Sequence, residues 1–398
     1  MKMLFWFSII TILYVYIGYP ILIYLLSLFY KKPLRGKYVY PTVSILISAY
    51  NEEKNIEEKI KTLQELDYPK ERLEILVGSD GSTDKTEEMV KQYIFTGFTS
   101  QVAGLRSNEG GIRFFRQETR QGKPSMLNLL ASEAKGEILV FTDARQRLDK
   151  NALSEVVKHF ADKKVGSVSG ALFYENEGEN KPGSGVGLYW KYEKFIRKAE
   201  SRMGSMLGAT GAFYAIRREL FPQLPKDLIL DDIYIPMKIV EKGYRAIFDK
   251  KAKVYDKVFS SPKEEFLRRT RTLSGNFQLF IYLRGLFNPF KGKISWQFFS
   301  HKFLRLLVPF FLITLFVSNL LIVLNLNLNF NLSLYMVFFI LQVIFYFFAL
   351  AGGMARFKNK LFDIPHMFCV MNMAAVVGLY RFLRNRQDVA WEKAELAL

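Results

Sequence analysis

Leu73-Glu74-Ile75-Leu76-Val77 is a short aliphatic run that ends directly on Gly78-Ser79-Asp80-Gly81-Ser82-Thr83-Asp84, and this junction decides the fold. A brief apolar run closed by glycine and small polar residues reads as a buried strand. Gly81 permits a tight turn, and Ser82 can cap the helix expected over 82–93. The same unit recurs on both sides. Thr42–Ser48 (TVSILIS) is a β-branched run followed by the charged segment 51–66, where Ile56, Ile60 and Leu63 fall at helical spacing. Ile112–Phe115 precedes a helix candidate at Pro124–Ala134, Ile138–Phe141 precedes another at Ala152–Phe160, and Val165–Phe173 is a fifth strand. Near-continuous apolar strands alternating with amphipathic helices predict an α/β fold with a largely parallel sheet covered on both faces. The polar stretch Glu175–Gly183 is expected as a loop.

In open sheets of this class, ligands collect beyond the carboxyl ends of the strands. Three acidic positions fall there. Asp80 can accept hydrogen bonds from a base or ribose, and it equally fits a turn that caps the next helix. Asp143, in Thr142-Asp143-Ala144-Arg145, can ligate a divalent cation that bridges a diphosphate, or simply cap a turn. Asp231 and Asp232 precede the helix candidate Ile233–Lys242. There they suit the positive end of a helix dipole, or one of them serves as a general base toward an attacking hydroxyl. If their side chains converge, like-charge repulsion raises the pKa of the base. Lys123, after Gly122, and Arg268, Arg269 and Arg271 are candidate diphosphate binders, with a solvated surface as the alternative for each.

Several classes are disfavoured. No GxxxxGK[ST] phosphate loop and no GxSxG elbow occurs. The single cysteine, Cys369, excludes an internal disulfide, and the three histidines (His159, His301, His366) are too scattered for a histidine-rich metal centre. Met3–Tyr30 holds 28 uncharged residues. As a helix rising about 1.5 Å per residue it exceeds a hydrocarbon core of roughly 30 Å. It reads as a retained anchor with Pro20 as a candidate kink. Leu306–Leu324 and Leu334–Met354 also meet the spanning length. The basic flanks Lys31–Lys37 and Arg356, Lys358 and Lys360 place the region between the first two spans in the cytoplasm. Met367–Tyr380, 14 residues before Arg381, Arg384 and Arg386, is short for a span and is expected to be interfacial or re-entrant, with crossing as the alternative. Phe266–Phe303 mixes basic and aromatic residues as surface-lying helices do. Basic residues at an anionic leaflet account for part of the net charge of +18, and no nucleic-acid motif claims it. The expected organisation is an anchor at 1–30, a basic linker at 31–40, a cytoplasmic domain at 41–260 and interfacial helices at 261–303. Membrane segments follow at 304–326, 332–355 and 361–383, with a basic tail at 384–398.

The segments PTVSILISAYNEEKNIEEKI, VGSDGSTDKT, GKPSMLN, FTDA, GATGAFYAIRR and LDDIYIP follow one another in this order. Together, over Pro41–Gln278, they resemble the membrane-bound family 2 glycosyltransferases, most of all the cellulose-synthase-like branch with the hyaluronan and poly-N-acetylglucosamine synthases. The resemblance implies a GT-A fold, a nucleotide-activated sugar and inversion at the anomeric carbon. It implies Ala49 and Glu52 beside the base, Asp80 on the nucleoside (uridine favoured) and Lys123 on the diphosphate. Asp143 matches the first acid of the DxD motif that holds Mg2+ or Mn2+, and Asp232 the last acid of the TED-type motif, the catalytic base. Gly208, Thr210 and Gly211 fall on the acceptor side, and Asp231, Arg268 and Arg271 on the acceptor or diphosphate side. Two departures stand out. The second DxD acid is Arg145, and the QxxRW motif of polymer-forming synthases keeps only its arginine, as Arg271. The implied activity is transfer at the cytoplasmic face of the plasma membrane, by a multi-pass protein, to a growing polysaccharide or a lipid-linked glycan. Addition of one sugar to a lipid acceptor is the alternative, and a noncatalytic membrane scaffold a third reading. The implied partners are a nucleotide sugar, a glycan or lipid-linked acceptor, membrane lipid and an export or assembly protein, without nucleic acid.

Overall fold

The computed structural model describes residues 1–30, 40–96, 111–174, 185–256, 262–324, 330–354 and 359–384. Residues 31–39 of the basic linker, the loop expected at 175–183, residues 325–329, Arg356, Lys358 and the tail from 385 lie outside the described residues. The chain divides into two compact units. Tyr30–Asn176 and Glu200–Val258 form one, and Met1–Phe29, Glu177–Ala199 and Phe259–Gln387 form the other.

The first unit is built on an eight-stranded sheet in the order β3-β2-β1-β4-β7-β6-β8-β5. Its strands are β1 (Val43–Ala49), β2 (Leu73–Asp80), β3 (Gly111–Gln117), β4 (Ile138–Phe141), β5 (Arg147–Leu148), β6 (Val165–Tyr174), β7 (Tyr214–Arg217) and β8 (Arg245–Asp256). Strands β3, β2, β1 and β4 run parallel, as do β6 and β8, while β7 is antiparallel to both neighbours and β5 is antiparallel to β8. The aliphatic runs of β1 and β4 are almost wholly buried, which suits a central parallel position. Five strands are expected from the sequence, and the sheet has three more. β5 has two residues and β7 four, and β8 alternates exposed Lys251 and Lys253 with buried Ala252 and Val254. A half-buried strand of that kind has no continuous apolar run to mark it.

Helices α3 (Ile56–Gln64), α4 (Thr86–Thr96), α5 (Lys123–Glu133), α6 (Ala152–Val157) and α8 (Asp231–Glu241) follow the strands. After β2 the backbone turns at Gly81 with φ +70°, and a Cβ there would stand 2.7 Å from the Arg120 amide nitrogen. Only glycine fits that turn, and the close approach lays the 80–82 turn against the loop that leads into α5.

The second unit is helical. α1 (Lys2–Leu13), a π-helical turn at Tyr14–Gly18 and α2 (Tyr19–Phe29) make one rod. Pro20 offers no N–H to the Tyr16 carbonyl. Tyr192 Oη donates to that carbonyl instead, at 3.1 Å, from α7 (Gly185–Met203). The remaining helices are α9 (Pro262–Tyr282), α10 (Lys293–Gln297), a second π-helical turn at Phe298–Phe303, α11 (Leu304–Leu324), α12 (Phe330–Gly352) and α13 (Lys360–Leu383). The π turns face each other, with Tyr14 Oη 2.8 Å from Ser300 Oγ.

Among the described residues, four helices are long and apolar enough to cross a membrane: Lys2–Phe29, Lys293–Leu324, Leu334–Gly352 and Lys360–Leu383. Two are longer than the apolar runs that mark them. The second begins at Lys293, because α10, the π turn and α11 are continuous, so the last eleven residues of the expected interfacial segment, 293–303, join a span-length helix. The last has 24 residues, since Asn359 caps it by accepting from the Leu361 and Phe362 amides (2.9 and 3.4 Å) and thereby draws Lys360 and Asp363 into the first turn.

Candidate functional site

The site grows from the ends of β2 and β4. Asp80, 3% exposed, accepts from the amides of Gln121 (2.7 Å) and Gly122 (2.9 Å). Both oxygens of the acid read from sequence as a nucleoside ligand therefore hold the turn that opens α5. Lys123, the first residue of α5, extends its Nζ to Asp143 Oδ1 at 3.0 Å and to Asp231 Oδ1 at 3.5 Å. Tyr214 Oη, on β7, donates to Asp231 Oδ2 at 3.3 Å, and its ring stacks on Phe141 with centroids 4.6 Å apart. Strand ends and a helix start, distant in sequence, thus converge on one ammonium group. The Lys123 and Asp143 side chains are 35% and 41% exposed, whereas that of Asp231 is 9% exposed. The cluster is closed at Asp231 and open at Asp143.

Asp232 completes the group. A Cβ on Gly211 would lie 3.1 Å from Asp232 Oδ2, so the bare glycine backbone lines that carboxylate. The Asp232 carbonyl accepts from the Ala209 amide at 2.7 Å, the Thr210 amide donates to Ser169 Oγ at 2.9 Å, and Gly208 turns at φ +117°. These contacts wrap Gly208–Gly211 around the start of α8.

Burial disfavours charge on Lys123, but Asp143, Asp231 and Asp232 outweigh it and hold the ammonium above the ordinary lysine range. Tyr214 is pushed well up by burial and by the same acids, so it remains a neutral donor. The group can therefore present a fixed positive charge next to carboxylates that differ in access to water.

Among the described residues no three His, Cys, Asp or Glu side chains converge as a metal site. Arg145, at the second acid's place, forms a bidentate pair with Asp256 (2.9 and 2.7 Å) at the end of β8. The donor set fits a cation held by one protein carboxylate, Asp143, with the remaining oxygens from a bound diphosphate, a usual arrangement for Mg2+.

Ala49 ends β1, buried and opposite Ser79 near the end of β2. In the turn beyond it, the Glu52 amide donates to Thr86 Oγ1 at 2.7 Å, and its carboxylate accepts from Asn55 at 2.6 Å. Arg268 and Arg271 lie on α9, in the helical unit, where Arg268 and Arg269 both pair with Glu265 (2.8 and 2.6 Å). Sequence reading passes over Tyr214, Asp256 and Lys59. Lys59 has a readable signal, a lysine inside the Ile56-Ile60-Leu63 stripe, whereas Asp256 has no local one.

Known proteins resemble the chain in several ways. A family model described as glycosyl transferase family 2 matches residues 44–224, and one described as glycosyl transferase family group 2 matches residues 138–350. The probable glycosyltransferase YdaM of Bacillus subtilis (strain 168) is 25% identical over 377 residues, 89% of this chain and 87% of that one. The poly-beta-1,6-N-acetyl-D-glucosamine synthase of Staphylococcus aureus (strain COL) is 24% identical over 267 residues; the match takes in 66% of this chain and spans 61% of the synthase. Among solved structures, a mannosyltransferase from Pyrobaculum calidifontis, in complex with GDP-Man and Mn2+, superposes with a TM-score of 0.70 at 23% identity, over 96% of this chain and 99% of that one. The fold is GT-A, as the sequence leads one to expect.

Proposed function

This chain belongs to the family 2 glycosyltransferases, and we propose that it inverts the anomeric carbon of a nucleotide sugar while passing the sugar to a hydroxyl of a glycan or lipid-linked acceptor. The observation that carries the reading is Lys123, whose ammonium joins Asp143 to Asp231 while Asp232 lies beside Gly211. Asp232 takes the proton of the acceptor hydroxyl as its oxygen attacks the anomeric carbon. The bond from that carbon to the diphosphate oxygen breaks, and the electron pair leaves with the nucleoside diphosphate. Lys123 meets the charge that develops on the leaving group. A divalent cation, when bound at Asp143, supplies Lewis-acid stabilisation of the same oxygens. Asp80 acts through the α5 turn, fixing where Lys123 begins. Asp231 and Tyr214 hold the other side of the ammonium. UDP is favoured as the carrier by family resemblance.

The four span-length helices support a multi-pass membrane protein, and the Lys31–Lys37 flank supports a cytoplasmic catalytic unit in the plasma membrane. The acceptor is a growing polysaccharide or a lipid-linked glycan. The missing glutamine and tryptophan around Arg271 favour addition of one sugar to a lipid acceptor over processive synthesis.

Membranes containing the protein, incubated with a panel of UDP- and GDP-sugars and read by mass spectrometry of the products, test the activity and distinguish one added sugar from a polymer. Asp232→Asn is expected to lower transfer by about 10²–10⁴-fold with nucleotide-sugar binding retained. Turnover like that of the wild type in this variant removes Asp232 from the role of base.

A further inference from the structure

Lys59 sits in the buried stripe of α3 with Ile56, Ile60 and Leu63, and it is 2% exposed. Its Nζ donates to Thr142 Oγ1 at 2.7 Å and to the Gln146 carbonyl at 2.8 Å. These two acceptors are the first and last residues of the five-residue loop that carries Asp143. Thr142 Oγ1 passes its own hydrogen to the Ala212 carbonyl at 2.9 Å, next to Gly211. At the other end, Arg145 and the Gln146 side chain share Asp256. The loop is therefore pinned at both ends, and Asp143 is its one acid.

A buried amine without a carboxylate in contact is unfavourable. Burial draws Lys59 down to about 7, against the opposing pull of Asp143 and Asp256. Both the ammonium and the neutral amine carry enough hydrogens for the two donations, so the clasp holds in either state. A leucine at this stripe position would satisfy packing and would leave both acceptors without that donor.

We propose that Lys59 is a positioning residue for Asp143: it clasps Thr142 to Gln146 and so fixes the lone carboxylate on which a cation and diphosphate would be held. The proposal rests on the nucleotide-sugar reading of the site. Where a motif has two acids, they share the cation; here Arg145 is tied to Asp256, and rigidity of the loop has to supply what the second ligand would.

The test uses the full chain in detergent, with UDP and GDP each titrated calorimetrically in the presence of Mn2+ and of a chelator. The wild type is expected to bind at least one of them more tightly with Mn2+. Lys59→Met is expected to lose roughly 10- to 100-fold of affinity in Mn2+ while its chelator affinity and melting temperature stay near wild type. Thr142→Val keeps the lysine and removes one acceptor, and it should shift the same quantity in the same direction by less. Equal losses with and without Mn2+, or unchanged affinity in Mn2+ in folded variants, overturn the proposal, as does a wild type indifferent to Mn2+. Should Lys59→Met fail to fold, Thr142→Val decides alone, and wild-type affinity in Mn2+ there overturns it. A wild type that binds neither nucleotide under either condition removes the transferase reading as well.

Discussion

Each unit of the molecule contains a cluster of opposite charges, and the two are closed to different degrees. In the sheet unit, Lys123 stands between Asp143 and Asp231, and the Lys123–Asp143 end is open to water. In the helical unit, Glu193 of α7 pairs with Arg305 and lies 3.6 Å from His301, and Arg305 Nη1 is 3.3 Å from the same imidazole. Glu193 and His301 are each 5% exposed. Burial would raise the Glu193 carboxyl, but Arg305 and His301 hold it well below the ordinary glutamate range. An open pair can trade one partner for a ligand because water covers the charge left over. A closed pair that lost a partner would strand a buried charge. The same side-chain chemistry thus suits a ligand site in one place and an anchor in the other.

The largest expected effect breaks the closed cluster. Glu193→Ala leaves Arg305 against the Tyr16 and Tyr192 rings without its carboxylate, at a loss of about 3–5 kcal/mol. Thermal unfolding in detergent should show that loss, with turnover per folded molecule near wild type. A normal melting temperature accompanied by lost transfer would make Glu193 part of the chemistry and undo the contrast. Lys123→Met comes next and should behave in the opposite way. Water can replace the ammonium at exposed Asp143, and buried Asp231 keeps the Tyr214 hydroxyl, so melting should fall by less than in Glu193→Ala while kcat/KM falls by about 10²–10³-fold. Initial rates with the nucleotide sugar found active measure it, and a variant that lost stability but kept its rate would turn the open cluster into a second anchor.

The difference between the units also governs how far the sequence could be read. Hydropathy alone marks the helical rods, since lipid demands long apolar runs, yet the uncharged run 367–380 covers only part of α13, and the helix that holds α11 reaches back to Lys293. In the sheet, β1, β2 and β4 are aliphatic because they are buried on both faces, and their terminal acids are visible as breaks in those runs. β7 is a buried run of only four residues and β8 carries a half-buried, charge-interrupted pattern, so both pass unnoticed, although β7 supplies Tyr214 and β8 supplies Asp256. The pairing of Arg145 with Asp256 bridges 111 positions and leaves no local trace. Asp80 is legible as a strand-end acid; its bonds to the Gln121 and Gly122 amides are not, because they depend on the close approach at Gly81.

Asp249 separates closure from location, since it is a closed acid within the sheet unit. Burial would raise its carboxyl, but His159 Nε2 at 2.6 Å, the Lys251 amide at 2.8 Å and Lys158 at 3.6 Å hold it below the ordinary aspartate range. Its folded value thus lies under the unfolded value of about 3.9, and the unfolded chain takes up the proton first. The stabilisation is complete above about pH 4 and is lost as pH falls through the folded value. Asp249→Asn should therefore lower the melting temperature at neutral pH, and the gap to wild type should narrow as the medium is acidified below about pH 4. This is the smallest of the expected shifts, and transfer at neutral pH should not follow it. If closure decides the role, Asp249 sides with Glu193; a variant that melts normally but transfers poorly would show that position in the sheet unit, and not access to water, makes an acid functional.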